Sequence, residues 1–243
     1  MVGFFGDILK SLDAIASADR GPSRPERSKD DLGGRIKRRT YATGATIADW
    51  DDSRQAILLI VSGWVASGKA LTSGARTVLD LSLPGDIVTI GTTEWAREII
   101  TALSPVTIIE LPGPSYKTLL RYPEPVSEAV LKGMARRYAR LAEHLVNIGR
   151  RGAVERTAHL FVELAHRVNV REKDGVRRFS CPLTQADLAD ALGLTAVHVN
   201  RVLKELREAG YVSFRGGVVE ITDFEGLVQL AQFDASYLAL RAR

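Results

Sequence analysis

In Leu183-Thr-Gln-Ala-Asp-Leu-Ala-Asp-Ala-Leu-Gly-Leu-Thr-Ala-Val-His-Val-Asn-Arg-Val-Leu-Lys-Glu-Leu206 two short helices are spelled out in register. Thr184 is placed to cap the first, with Asp187 three residues on as an acidic group in its first turn. Leu188, Ala189 and Leu192 share one face of that helix. Gly193 falls where a tight turn needs φ > 0. Thr195 caps the second helix, whose inward residues are Val199, Val202, Leu203 and Leu206. The small Ala189 lies where two steeply crossing helices would touch. These are the requirements of a helix-turn-helix. Any two helices joined by glycine share part of the pattern, but the whole of it favours DNA binding over a plain helical hairpin.

The second helix then turns Ala196, Val197, His198, Asn200, Arg201 and Lys204 outward. Arg201 can make a bidentate contact to guanine, worth about 1–3 kcal/mol of discrimination. Asn200 has the donor and acceptor for adenine, and Val197 suits a thymine methyl. His198 is either a base or phosphate contact or a surface histidine with no partner. Thr184 and Lys204 suit phosphates, which position a protein without specifying sequence. Gln185, beside Thr184, is counted with the DNA-binding residues.

Downstream, Gly210 to Ile221 is a hairpin with a Gly-Gly turn, a wing with Arg215 near its tip. A phosphate contact for Arg215 is favoured over a solvated charge. Asp223 to Arg243 is expected to form a C-terminal helix through Leu227, Leu230, Ala231, Phe233 and Leu238.

Upstream, Val154, Ala158, Phe161, Leu164, Ala165 and Val168 continue a helical pattern, and Arg171 to Arg178 forms a loop or hairpin. A domain boundary is expected between Gly149 and Ala153. Before it, Leu131, Met134, Tyr138, Leu141, Leu145 and Ile148 recur at spacings 3, 4, 3, 4, 3. That is a heptad seam on a long helix otherwise carrying Lys132, Arg136, Arg137, Arg140 and Glu143. So narrow a stripe favours a parallel homodimer over a helix lying on its own domain, which would need a wider apolar face.

From Arg35 to Pro112 the period changes. Ala56–Val61, Arg76–Leu83, Ile87–Ile90 and Val106–Leu111 read as strands between glycine and proline turns, as in an antiparallel sandwich, barrel or roll. Phe4 to Ile15 is an amphipathic helix, more suited to docking on its own core than to anchoring in a membrane, since its polar face is not basic. Ser17 to Gly34 is a polar linker.

The chain has 243 residues, 45% hydrophobic and 26% charged, which suits one large domain or two moderate ones and excludes wholesale disorder. A net charge of +4 permits nucleic-acid binding without demonstrating it. The one cysteine, Cys181, cannot form an internal disulfide, and a structural thiol beside Pro182 is favoured over a redox role. No segment has the length of a transmembrane helix, and Met1 to Lys10 lacks the basic start of a secretory signal, so the cytoplasm is the expected location. No glycine-rich phosphate loop, metal-ligand spacing or Ser–His–Asp arrangement is present, and no enzyme activity, metal or cofactor is expected.

Leu183–Val212 resembles the winged helix-turn-helix of the Crp/Fnr superfamily of bacterial regulators. Leu-Ile-Val-Ser-Gly-Trp-Val (Leu59–Val65) and Leu-Ser-Leu-Pro-Gly-Asp-Ile-Val (Leu81–Val88) are similar to hairpin motifs of that family's β-roll sensor, so the resemblance runs from Ile36 to Ile221. It implies an α+β chain: a β-roll like a cyclic-nucleotide-binding domain (35–124), a dimerisation helix (125–150) and a winged helix-turn-helix with C-terminal helix (151–243), after a helix and linker (1–34). It implies a transcription regulator that binds a pseudo-palindromic duplex as a homodimer, with Thr195–Arg201 reading bases and RNA polymerase as a further partner.

The resemblance also marks what the sensor lacks. Cyclic-nucleotide binders of the family carry a Gly-Glu pair where this chain has Thr89 and Ile90, and Ile90 cannot bond a ribose hydroxyl. The nearest arginine for a cyclic phosphate, Arg97, is followed by Glu98, whose charge opposes an anion. No N-terminal cysteines offer an iron–sulfur cluster, and His144, His159, His166 and His198 all lie beyond the roll, leaving a haem there without its ligand. The effector is left unassigned. The alternatives are an enzyme fused to a helical domain, and a ligand-binding or protein-interaction module whose helical hairpin does not read DNA.

Overall fold

The structure is a computed structural model describing residue 10 and residues 36–49, 51–91, 98–113 and 119–238. The linker, Arg97 and, apart from Lys10, the helix expected over Phe4–Ile15 lie outside the described residues. The chain forms two compact units, each discontinuous in sequence: Met1–Ala66 with Ser82–Arg137, and Ser67–Leu81 with Tyr138–Arg243.

Strands β1 (Lys37–Tyr41), β2 (Thr46–Ala48), β3 (Ala56–Ser62), β4 (Val65–Ala70), β5 (Arg76–Ser82), β6 (Ile87–Ile90), β7 (Ile99–Ala102) and β8 (Val106–Pro112) form two four-stranded sheets. Their orders are β1-β8-β3-β6 and β2-β7-β4-β5. In the first sheet, β3 lies antiparallel to both β6 and β8. Its run Ala-Ile-Leu-Leu-Ile is apolar throughout because both faces are covered. Leu58 and Ile60 join Val88, Ile100 and Ile108 in one core cluster. Ile57 and Leu59 join Ile109, Leu111, Tyr122, Val126 and Val130 in another. Helix α1 (Glu124–Arg150) supplies Val126 and Val130. It approaches closely at Gly133, where an added Cβ would come within 2.8 Å of Ile87.

Strand β1 carries no apolar run that marks it in the sequence, and β2, β4 and β7 also lie outside the strands expected from it. β1 is Lys-Arg-Arg-Thr-Tyr on a sheet edge, where its exposed side needs no apolar residues.

The second unit holds α2 (Ala153–Arg167), β9 (Glu172–Lys173), β10 (Val176–Ser180), α3 (Gln185–Leu192), α4 (Ala196–Glu208), β11 (Val212–Arg215), β12 (Val218–Ile221) and α5 (Phe224–Leu230). The segment around Arg171–Arg178 is a hairpin, turning at Asp174 and Gly175, both at positive φ. The wing turns likewise at Gly216 and Gly217, φ 57° and 74°. With β9 and β10 the wing makes a sheet of order β11-β12-β10-β9.

Two sequence expectations need correction. The C-terminal helix expected over Asp223–Arg243 is instead α5, a break, and a short 3-10 helix at Ala235–Leu238, with residues 239–243 outside the description. Gln232 adopts φ 47°, and Asp234 accepts from the Ser236 amide at 2.8 Å, starting the new turn. The break lets Phe233 stack on His166 with ring centroids 5.2 Å apart. Arg140, read as one of the charges beside the seam of a helix left for a partner, is instead buried and pairs in a fork with Asp80 at 2.8 Å.

Candidate nucleic-acid interface

Residues 184–201 build the site from two caps and a turn. The Thr184 Oγ1 accepts from the Asp187 amide at 3.1 Å, and the Asp187 carboxylate accepts from the Thr184 amide at 2.9 Å. This reciprocal box fixes the first turn of α3. The Thr184 hydroxyl also donates to Asp187 at 2.6 Å, so its proton is already committed before any phosphate arrives. Gly193 closes the helix at φ 61°, ψ 39°. Thr195 then caps α4 by accepting from the His198 amide at 3.2 Å.

One face of α4 is core: Val199, Val202, Leu203 and Leu206 are buried, as are Leu188, Ala189 and Leu192 of α3, which packs against it. Burial of four aliphatic side chains at about 1.5–3 kcal/mol each sets which face remains outside. That face exposes Ala196, Val197, Asn200, Arg201 and Lys204, with Thr184 and Gln185 exposed at the start of α3. Val197 is 81% exposed, an apolar group in water with no neighbour in the protomer to cover it. His198 is half-buried, and its Nε2 lies 2.9 Å from an Arg201 guanidinium nitrogen. Lys204 pairs with Glu208 at 3.7 Å, an exposed i,i+4 contact of little strength. Arg215 is exposed at the end of β11, beside the wing turn.

Several positioning contacts had no signature in the sequence. Asn200 Nδ2 donates to Gln185 Oε1 at 2.9 Å, linking α4 to the first turn of α3. Arg156 of α2 donates to the Leu192 carbonyl at 2.8 Å and to the Arg151 carbonyl at 3.0 Å, holding the end of α3. Thr77 donates to the Asp190 carbonyl at 3.3 Å, and Arg76 lies 3.7 Å from the Asp190 carboxylate. The partners are separated by as many as 113 positions, so no local spacing announces them. Cys181 is buried, and burial pushes its thiol up to about 12, which keeps it protonated and unreactive near neutral pH.

Behind the interface, α1 carries the half-buried His144, and α2 the buried His159 and the exposed His166. His159 is 2% exposed, 3.2 Å from Glu143, and its ring lies 4.9 Å from that of Phe233. Arg151 also pairs with Glu143 at 2.9 Å, and Tyr237 donates to Glu163 at 2.8 Å. Desolvation, full at His159 and partial at His144 and His166, holds all three below their ordinary 6.5; the charge of Arg151 adds to this at His159 and that of Arg177 at His166. The unfolded chain therefore binds more protons than the folded one as pH falls through 6.5. Stability is full above that pH and declines below it, by up to about 1.4 kcal/mol per pH unit from the buried His159 and by less from His144 and the exposed His166. The melting temperature is expected to drop between about pH 7.5 and about pH 5.5. His159→Gln should flatten that slope, and a melting temperature constant over the range would contradict the assignment.

Among the described residues, no group of three or more His, Cys, Asp or Glu could hold a metal ion, and no helix is long and apolar enough to cross a membrane.

Residues 155–230, from α2 to the end of α5, match the model of the Crp-like helix-turn-helix domain. The chain is similar to the transcriptional activator protein FnrL of Cereibacter sphaeroides, 26% identical over 201 residues that cover 81% of each chain. It is also similar to the nitrogen fixation regulation protein FixK of Rhizobium meliloti, 28% identical over 176 residues, 72% of this chain and 78% of that one. In fold it is similar to the solved structure of FixK2 from Bradyrhizobium japonicum, with a TM-score of 0.69 and 23% identity, covering 80% of this chain and 96% of that one.

Proposed function

For this chain, which carries a Crp-like helix-turn-helix domain and whose homologues are transcription regulators of the Crp/Fnr type, we propose a homodimer that reads a pseudo-palindromic duplex with α4 in the major groove of each half-site. Regulators of this type bind DNA and act as dimers. The observation that carries the reading is the outward face of α4: two capped helices hold Val197, Asn200 and Arg201 in water while the opposite face is core.

Arg201 takes guanine, Asn200 adenine and Val197 a thymine methyl. Lys204, Arg215 and Thr184 sit at phosphates. The seam along α1 pairs with its copy. On the protomer Leu131, Met134, Tyr138 and Leu145 are exposed and Leu141 and Ile148 half-buried, so an apolar stripe is left for a partner. RNA polymerase and a cytoplasmic location belong to the same reading. Ile90, buried in the core between the sheets, is not available to a ribose, so cyclic nucleotide is not the proposed effector.

The first experiment is selection of bound genomic fragments by the full-length protein with no added ligand. A recovered pseudo-palindrome supports a dimer competent without effector; recovery of no preferred sequence from a folded dimer points to an activating ligand or modification. Binding to the recovered site should weaken steeply with salt. Lys204 and Arg215 from both protomers would neutralise four phosphates, giving a log–log slope of about −3.6. Lys204→Ala should reduce that slope by about 2 units per dimer while leaving base preference intact. Salt-independent binding would instead support the interaction-module alternative.

A further inference from the structure

We infer that Gln185 is a specificity-determining positioning residue, which fixes the orientation of the Asn200 amide and so makes it select adenine over guanine. The inference rests on the proposed DNA reading. Asn200 Nδ2 donates to Gln185 Oε1 at 2.9 Å. A side-chain amide has two faces of opposite chemistry, an acceptor oxygen and a donor nitrogen, and a free asparagine can present either. Here one N–H is held toward α3, so the oxygen and the second N–H are the groups left for a base.

The backbone that carries Gln185 is held in place. Gln185 is the first residue of α3, and the Thr184–Asp187 box on either side of it, with bonds of 2.9 and 3.1 Å, keeps that turn from fraying. The two ends of the Asn200–Gln185 bond are fifteen residues apart and on different helices, so the bond also ties α4 to α3 on the exposed side.

In the major groove adenine offers the N7 acceptor and the N6 donor, whereas guanine offers acceptors at both N7 and O6. An asparagine held with Oδ1 and one N–H forward matches adenine. Against guanine its oxygen faces another acceptor. If the tether is cut, the amide can swing so that its oxygen leaves the base edge and one N–H donates to guanine N7 or O6, and the penalty against guanine falls. The bond is exposed in the free protein and worth little there; on DNA, water leaves the interface and the same bond gains strength.

The test uses full-length protein and the selected duplex, with each base pair of the half-site varied in turn. Asn200→Ala should lose preference at one base pair by roughly 5- to 150-fold. Gln185→Ala should lower the adenine-over-guanine ratio at that same pair by roughly 2- to 12-fold, with other positions unchanged. Gln185→Glu keeps an acceptor for Asn200 Nδ2 but adds a negative charge near phosphates. It should retain the ratio while weakening binding to every sequence. Melting curves establish that each variant folds, and the exposed positions of both residues favour that. Equal loss on all sequences by Gln185→Ala would make Gln185 a phosphate contact only and overturn the inference, as would an unchanged ratio. No change in preference from Asn200→Ala would instead overturn the base-reading assignment beneath it.

Discussion

Arg201→Ala is expected to lose guanine preference at one base pair in each half-site, by roughly 5- to 150-fold per site. Arg201 is exposed on α4, three residues from His198 and 2.9 Å from its ring nitrogen. A planar guanidinium offers two parallel N–H groups, which match the O6 and N7 acceptors of guanine and of no other base. The contact with His198 holds the side chain along the helix surface, so less rotamer freedom remains to be lost on binding. In a dimer the loss occurs twice, and the penalties compound across the two half-sites. Arg201→Lys separates charge from geometry: affinity for arbitrary DNA should be largely kept, while the preference falls, because an ammonium cannot make the two-pronged contact. The measurement is competition between duplexes differing at single base pairs. Uniform weakening on every duplex by Arg201→Ala would show that Arg201 meets a phosphate instead.

The second large effect is expected at the α1 seam. Leu141→Asp should give monomers in sedimentation experiments and lower affinity for a two-half-site duplex by roughly 100-fold or more, through loss of the linked second contact. Symmetry places each seam residue near its own copy, so one substitution puts two carboxylates into an apolar interface. Desolvating and opposing two like charges outweighs the apolar contact that the leucines would have made. Leu141 is half-buried within the protomer, and an aspartate there could also disturb the fold. Leu145→Asp serves as the second variant, since Leu145 is 73% exposed and its protomer needs no apolar group at that position. Monomers from both variants with intact melting would support the seam. Unchanged dimers from Leu145→Asp would place the dimer contact elsewhere.

Much of the interface was legible because its determinants are local. A cap needs a hydroxyl and an amide three residues away, a left-handed turn needs glycine, and a buried helix face needs apolar groups at spacings of three and four. Thr184, Gly193, Thr195 and the inward residues of α4 satisfy these rules within a window of about two helical turns. The roll was legible where strands are apolar, as in β3, and silent at β1, whose charged sequence lies on a sheet edge. The C-terminal stretch shows the limit from the other side. Leu227, Ala231 and Phe233 suggested one helix, yet the chain breaks at Gln232 so that Phe233 can meet the imidazoles of α2. Helical spacing predicts a face; it does not say when a ring on another element will draw the chain off that path.

By itself the sequence determined the helix-turn-helix, the wing, the long seam helix and the strand-rich part before it, since each follows from hydrogen bonds and side-chain spacing within a few residues. Only the tertiary structure decided that Arg140 is buried on Asp80, 60 residues away, that Arg156 holds the Leu192 carbonyl, and that Asn200 donates to Gln185. The reason is physical. A charged or amide side chain has the same local pattern in water as in a buried pair. Its partner is chosen by which distant groups the packed core leaves within about 3 Å, and that distance exists only once the chain has folded.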